Sequence, residues 1–339
     1  ESSIILKYLF RSKNGFKNLN IKEKILFLIV KILNRVIGYK NIIKLISITY
    51  KIKAKYDIAI SYANDFYGYR FGGGCNSIVE KCSYAAFKIA WIHHNPSMIN
   101  ANSRIFYRAY KNYNYVINVS NSMKMIFDEI APKLKEKSKV IYNMIDEEDI
   151  QKKSKEYYPI HFDKNNYNIV TIARLDNKSK RIDRAIRCSS MLISSGIENF
   201  RWYIIGSGKD KNYLLKEVYE LKINNNLIFL GDIENPYPYI KNADLICITS
   251  DYETYGVVAI EAIYFKKIIL SIENPAAREV MGRYKDARIV KNTNELYDAI
   301  KFLYFSRNKN LKMQNEVYDV NSIPKIQINN ILREISEKL

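Results

Sequence analysis

Short β-branched runs alternate with helical stretches along most of this 339-residue chain, and that alternation restricts the fold more than any other feature. Residues 56–62 (YDIAISY), 88–93 (KIAWIH), 115–120 (YVINVS) and 139–143 (KVIYN) read as buried strands. The rhythm resumes at 167–173 (YNIVTIA), 201–206 (RWYIIG), 227–230 (LIFL), 244–249 (DLICIT) and 267–271 (KIILS). Strands that are apolar on both faces and separated by helices belong to parallel sheets covered by helices on both sides. The expected class is therefore α/β. The chain also exceeds the roughly 250–300 residues at which a single core stops growing, so two domains are expected.

Residues 146–166 separate the two series of strands. They are dense in Lys, Glu, Asp and Tyr, contain Pro159, and read as an inter-domain linker. The expected division is 1–145, 146–320 and a C-terminal helix, 321–339, with Ile326, Ile328, Ile331, Leu332 and Ile335 in an amphipathic pattern. Two Rossmann-like halves would put a cleft between them at the carboxyl ends of the strands. Residues 18–55 read as two helices, with Ile21, Ile25, Leu28, Ile32 and Val36 at helical spacing. No opening strand with a Gly-rich turn precedes them and the chain begins with Glu1, so native residues are expected before it. Gly72-Gly73-Gly74 follows no recognisable strand and reads as a flexible loop.

The net charge of +19 favours an anionic partner. Twelve Lys and Arg residues face one acid, Glu23, between Arg11 and Lys55, and they are interleaved with Ile and Leu. That mixture suits a helix lying on an anionic membrane. Nucleic acid is not expected, because single-strand binders prefer aromatic stacking platforms in a basic groove. A solvated basic face on ordinary helices has the same composition. Cys75, Cys82, Cys188 and Cys247 form no zinc-type spacing and fit a reduced cytoplasmic protein. No signal-peptide pattern is expected, and the run Ile25–Val30 is far too short to span a bilayer. The expected location is the cytoplasm, peripheral on the inner face of the plasma membrane.

Chemistry-bearing residues concentrate in the second half. Arg174 directly follows a strand and Lys180 comes six residues later, so two cations can converge on one diphosphate; two surface cations would read the same. Gly206-Ser207-Gly208 follows another strand and precedes a helix, which would let backbone approach a phosphate closely. A tight turn needs the same glycines, and without the fuller G-x-G-x-x-G pattern no dinucleotide site is supported. Glu253 falls in a loop and Glu261 about two turns into the next helix, with Gly256 at its start between Tyr255 and Val257. The loop glutamate can reach a sugar ring, and the helical one can accept bonds from ribose hydroxyls.

In this order the pieces resemble the family-four retaining glycosyltransferases of the GT-B fold. The resemblance runs from Arg174 and Lys180 through Gly206–Gly208, Phe229-Leu230-Gly231 and residues 235–245 (NPYPYIKNADL). It continues with Ser250, the E-x7-E segment 253–261 (ETYGVVAIE), and residues 265–270 (FKKIIL) and 274–279 (NPAARE). One departure is Thr254, where the family usually has Gly. The resemblance implies that Arg174 and Lys180 bind the donor diphosphate, Glu261 holds the ribose, and Glu253 contacts the transferred sugar. It further implies that Gly206, Gly208, Tyr255, Gly256 and Val257 help bind the donor, and that Gly231 belongs to a loop lining the nucleobase pocket. His93 and His94 end a strand where the family often has a histidine facing the donor sugar.

The implied activity is metal- and cofactor-independent transfer from a nucleotide sugar, UDP for preference. The acceptor would be a lipid-linked glycan or polysaccharide in bacterial surface-glycan synthesis, as in capsule or lipopolysaccharide pathways. A nucleotide-sugar epimerase or phosphorylase on the same scaffold would lack the E-x7-E segment. The other reading is a basic membrane- or nucleic-acid-binding protein with a vestigial nucleotide-sugar site. The presence of Arg174, Lys180, Glu253 and Glu261 together counts against it.

Overall fold

The β-branched runs form parallel strands throughout the computed structural model, which describes residues 19–38, 41–42, 52, 54–62, 75–98, 102–163, 165–307 and 319–339. The chain divides into one unit running to Ile141 and completed by Gln327–Leu339, and a second unit, Tyr142–Ile326.

In the first unit α1 (Ile21–Val36) and β1 (Lys55–Ser61) precede α2 (Cys75–Cys82) and β2 (Tyr84–Ile92). Next come α3 (Ser103–Tyr110), β3 (Tyr115–Asn118), α4 (Asn121–Ile130) and β4 (Ser138–Val140). Side chains of Asn20, Asn102 and Ser120 cap α1, α3 and α4 by accepting a bond from the N–H three residues on, which otherwise has no partner. The strands are parallel in the order β1-β2-β3-β4.

Helix α1 departs from an ordinary packed helix. Its periodic residues Ile21, Ile25, Leu28, Ile32 and Val36 are each at least half exposed, while Phe27 and Val30 are the buried ones. The second helix expected within 18–55 lies largely outside the described residues, as do Arg11 and Gly72–Gly74.

The second unit opens with α5 (Glu147–Lys153), β5 (Tyr167–Ile172), α6 (Asn177–Lys180), α7 (Asp183–Ser194) and β6 (Phe200–Ile205). It continues with α8 (Lys211–Glu220), β7 (Leu227–Gly231), α9 (Tyr237–Asn242), β8 (Leu245–Ile248) and α10 (Val257–Tyr264). Then come β9 (Ile269–Ile272), α11 (Pro275–Met281), β10 (Ala287–Val290), α12 (Thr293–Ser306) and the start of α13 (Ser322–Ser336). The far part of α13 belongs to the first unit, where Ile331 and Ile335 pack with Phe87, Ile89, Tyr115 and Ile117. Strand β10 had no counterpart in the sequence reading: it is a four-residue edge strand with alternating burial, directly after Lys285-Asp286.

The charged segment 146–166 packs within the second unit. Ile150 is buried, Phe162 stacks on Tyr203 at 4.9 Å, and Asn235 Nδ2 donates to the Lys153 carbonyl at 2.9 Å. Its charged composition hid these few anchoring apolar side chains.

The sheet order β10-β9-β8-β5-β6-β7 reverses between β5 and β8. Such a reversal opens a crevice at the carboxyl ends of the two neighbouring strands. A buried polar chain ties three strands together just below that point. Trp202 Nε1 donates to Thr171 Oγ1 at 3.0 Å, and Thr171 Oγ1 donates to the Cys247 carbonyl at 2.7 Å. Around it pack Ile169, Ile186, Leu192, Ile204, Leu245 and Leu270. Thr171→Val keeps the shape but leaves the Trp202 N–H without its acceptor. It should cost about 1–3 kcal/mol of unfolding free energy, measured by chemical denaturation.

Candidate donor site

Arg174 owes its place to two glycines. A Cβ on Gly206 would lie 2.1 Å from the Ala173 carbonyl oxygen, and one on Gly208 would lie 2.4 Å from that of Leu175. The 206–208 loop can therefore run against 173–175 and extend the β5–β6 pairing beyond the strands. The Leu175 N–H donates to the Ser207 carbonyl at 2.7 Å and the Asp210 N–H to the Leu175 carbonyl at 3.1 Å. The close approach read from these glycines is thus to the protein's own backbone. Gly231, at φ 75°, supplies the carbonyl that accepts from the Gly206 N–H at 2.7 Å.

Arg174 is exposed on the wall shared by two recesses. One, of about 330 Å³, is lined by Arg174, Lys180, Ser250, Glu253, Gly256 and Val257 among others. The other, of about 280 Å³, adds Gly206, Ser207, Asp232 and Pro236. The larger one falls at the lower end of the size range of small-molecule sites, roughly 300–1,000 Å³.

Within it Lys180 and Glu253 meet. Lys180 Nζ donates to Glu253 Oε1 at 2.7 Å, and Ser250 Oγ donates to the same oxygen at 2.8 Å. Both side chains of the pair are about four-fifths buried. The cation assigned to diphosphate and the carboxylate assigned to the sugar are therefore partners of one another. Low local dielectric strengthens such a pair, and each charge offsets the desolvation of the other.

Glu261 occupies a different environment. Gly256 starts α10 from a left-handed conformation (φ 85°), and Ala259, Ile260, Ala262 and Ile263 turn into the core. Glu261 faces Tyr237 of α9, whose hydroxyl donates to it. Burial pushes its carboxyl up to about 7, and the tyrosine bond partly opposes the shift. Glu261 does not line the recess that holds Glu253. Tyr255 is buried with its ring 5.4 Å from that of Tyr142, whereas Val257 is exposed.

His93 and His94 lie in the first unit, at the end of β2. His93 packs edge-on to Tyr62 at 4.5 Å and parallel to Trp91 at 6.3 Å, while His94 is exposed. Burial, and then the neighbouring His94, lower the pKa of His93 and favour its neutral form. Unmarked by the sequence reading were Tyr237 as the partner of Glu261, and Arg181, Arg184 and Asp251 beside Lys180 and Glu253. Each acts through an ion pair or hydrogen bond to a distant segment, for which sequence spacing carries no signal.

Residues 152–320 match the model of the family described as glycosyl transferases group 1. That stretch of the chain belongs to the family. Over 175 residues it is 28% identical to the Campylobacter jejuni N-acetylgalactosamine-N,N'-diacetylbacillosaminyl-diphospho-undecaprenol 4-alpha-N-acetylgalactosaminyltransferase, covering 51% of this chain and 45% of the relative. The chain thus spans under half the length of that relative. Anabaena HepE in complex with UDP superposes with a TM-score of 0.63 at 15% identity, over 100% of this chain and 97% of that one. The pneumococcal O-GlcNAc transferase GtfA in complex with UDP and GlcNAc gives 0.60 at 13% identity, over 88% and 59%. The two parallel α/β units have the GT-B fold.

A raised carboxyl has a definite signature in stability. Between about 4.5 and about 7 the folded chain binds the Glu261 proton more tightly than the unfolded chain, so stability falls as pH rises through that window. Glu261→Gln should remove this dependence. Its melting temperature relative to wild type should therefore climb between pH 5 and 8 (roughly the span of the Glu261 titration), as checked by calorimetry.

Proposed function

We propose that this group 1 glycosyltransferase moves a sugar from a UDP-sugar, with retention at the anomeric carbon, to a lipid-linked or polysaccharide acceptor of bacterial surface-glycan synthesis. The observation that carries this reading is the meeting of Arg174, Lys180 and Glu253 at the carboxyl ends of β5 and β8. An anionic diphosphate seated beside Arg174 would draw Lys180 as well, and Gly256 would bring the N-terminus of α10 to the same charge. As the anomeric C–O bond breaks with oxocarbenium-like character, these groups stabilise the charge on the leaving UDP, a role that asks for no metal or cofactor. Glu253, released from Lys180, faces the transferred sugar, and Glu261 accepts the ribose hydroxyls. Gly206, Gly208 and Gly231 hold the surrounding loops, and Tyr255 and Val257 flank the cap of α10. His93 or His94 would orient a sugar hydroxyl or the acceptor from the first unit. The nucleotide choice draws on the UDP bound in the HepE and GtfA structures, and the acceptor choice on the undecaprenol-linked substrate in the Campylobacter relative's name.

A thermal-shift series with UDP-, GDP- and ADP-sugars tests the reading directly. Stabilisation by a UDP-sugar is expected, and none by any of the three would refute it. Glu253→Ala should lower kcat by roughly 100-fold with donor KM little changed, as expected for a contact made chiefly in the transition state. Glu261→Ala should instead raise donor KM by roughly tenfold, equivalent to about 1.4 kcal/mol. Initial-rate kinetics separate the two.

We further propose that the chain works on the inner membrane face, peripherally. Among the described residues no helix is long and apolar enough to cross a membrane. The exposed ridge of α1, from Ile21 to Val36, is flanked by Lys22, Lys24, Lys31 and Arg35, a pairing of apolar and cationic surface that suits anionic headgroups. Sedimentation with vesicles containing phosphatidylglycerol should bind the chain at low salt and lose it in Ile25→Glu/Ile32→Glu. Equal binding by that variant would exclude α1 as the contact.

A further inference from the structure

The ion pair between Lys180 and Glu253 depends on two loops that leave different strands and are held together by a second set of contacts. The Asp251 N–H donates to the Ser179 carbonyl at 3.0 Å, and Thr249 Oγ1 donates to the Lys180 carbonyl at 2.7 Å. Arg184 Nη1 reaches the Thr249 carbonyl at 2.8 Å and Asp251 Oδ1 at 2.6 Å. Arg181 Nη1 donates to Asp251 Oδ2 at 2.9 Å, while its other nitrogens make a two-pronged contact with Asp183, 2.9 Å each. The result is a line of alternating charges, Asp183–Arg181–Asp251–Arg184. Arg181 adopts a left-handed backbone (φ 50°) directly after Lys180, which turns its guanidinium back across the loop. Arg184 is a buried guanidinium, and Asp251 is the carboxylate that compensates it.

We propose that Asp251 is a positioning residue for sugar transfer. Two residues before Glu253, it receives both guanidiniums and so fixes the 249–253 loop against the loop that carries Lys180. Asp251 itself touches neither Lys180 nor Glu253. Its effect is transmitted through Arg181, Arg184 and the backbone between Ser250 and Glu253. Asn in its place would keep the shape but lose the charge, leaving Arg184 buried and uncompensated. The loop would then be free to shift, and a misplacement of about 1 Å at a reacting group is enough to cost roughly 100-fold in rate. The proposal rests on the donor-site reading above.

The test measures kcat and donor KM with the UDP-sugar that stabilises the full chain, for Asp251→Asn, Asp251→Glu, Glu253→Gln and the Asp251→Asn/Glu253→Gln double variant. Hydrogen exchange of the 250–256 amides is followed without donor. Asp251→Asn should lower kcat by roughly 10- to 100-fold and speed amide exchange in this loop. Asp251→Glu should recover most of the loss. In the Glu253→Gln background, Asp251→Asn should cost less than about twofold more, because both changes act on the same interaction. If Asp251→Asn is too unstable to purify, Arg181→Gln, which removes the more exposed guanidinium, should show a smaller loss with the same coupling to Glu253. A lower melting temperature with unchanged kcat and KM, or effects that multiply independently, would reduce Asp251 to a stabilising residue and overturn the proposal. So would unchanged amide exchange, whatever the donor result. Faster exchange in a chain that turns over no donor would instead overturn the donor-site reading and leave the clamp standing.

Discussion

Strands β5 and β8 are distant in sequence yet hydrogen-bonded neighbours, with Ile169 opposite Leu245 and Val170 opposite Ile246. Everything at the site follows from that pairing. Because the strand order reverses there, the segments leaving the two strands diverge, to β6 on one side and β9 on the other, and leave a recess between them. Arg174 and Lys180 leave β5, while Ser250 and Glu253 leave β8. The interlocked Trp202–Thr171–Cys247 chain holds the strand ends in register, so the loops start from a rigid base.

Charge is arranged around the recess in two layers. Lys180 and Glu253 neutralise one another inside it, and the Asp183–Arg181–Asp251–Arg184 set neutralises itself just behind. Arg174 stays exposed on the recess wall. Glu261 is set apart, buried against Tyr237 with its carboxyl near neutrality, so the two glutamates of one short motif face different chemistry. The two glutamates, eight residues apart, have different surroundings: one is paired with a cation, and the other loses water, which raises the Glu261 carboxyl.

Most strands were legible because parallel β-structure is apolar on both faces and announces itself as β-branched runs. β10 was not, since an edge strand of four residues needs little apolar content. The packing of segment 146–166 was hidden for a related reason: its buried apolar residues, Ile150 and Phe162 among them, are few and sit in a charged background. At the site, Arg174, Lys180, Gly206, Gly208, Glu253 and Glu261 stood out through their order along the chain. Their mutual arrangement did not. The pairing of Lys180 with Glu253, and of Arg181 with Asp251 across 70 positions, is a product of strand order. The reason for the glycines was also hidden, because a turn built for a ligand and one built for a neighbouring loop demand the same absent Cβ.

Those glycines bear on the entropy of recognition. With the 206–208 loop stitched to 173–175, the backbone around Arg174 has already given up its conformational freedom during folding. An anion arriving at Arg174 would meet a wall that needs no ordering, and the loss of freedom would fall mainly on the ligand and on the arginine side chain itself. One face of the recess is thus preorganised at the level of the main chain. On the opposite face Lys180 is paired with Glu253, so an anion there would have to compete with a carboxylate for it.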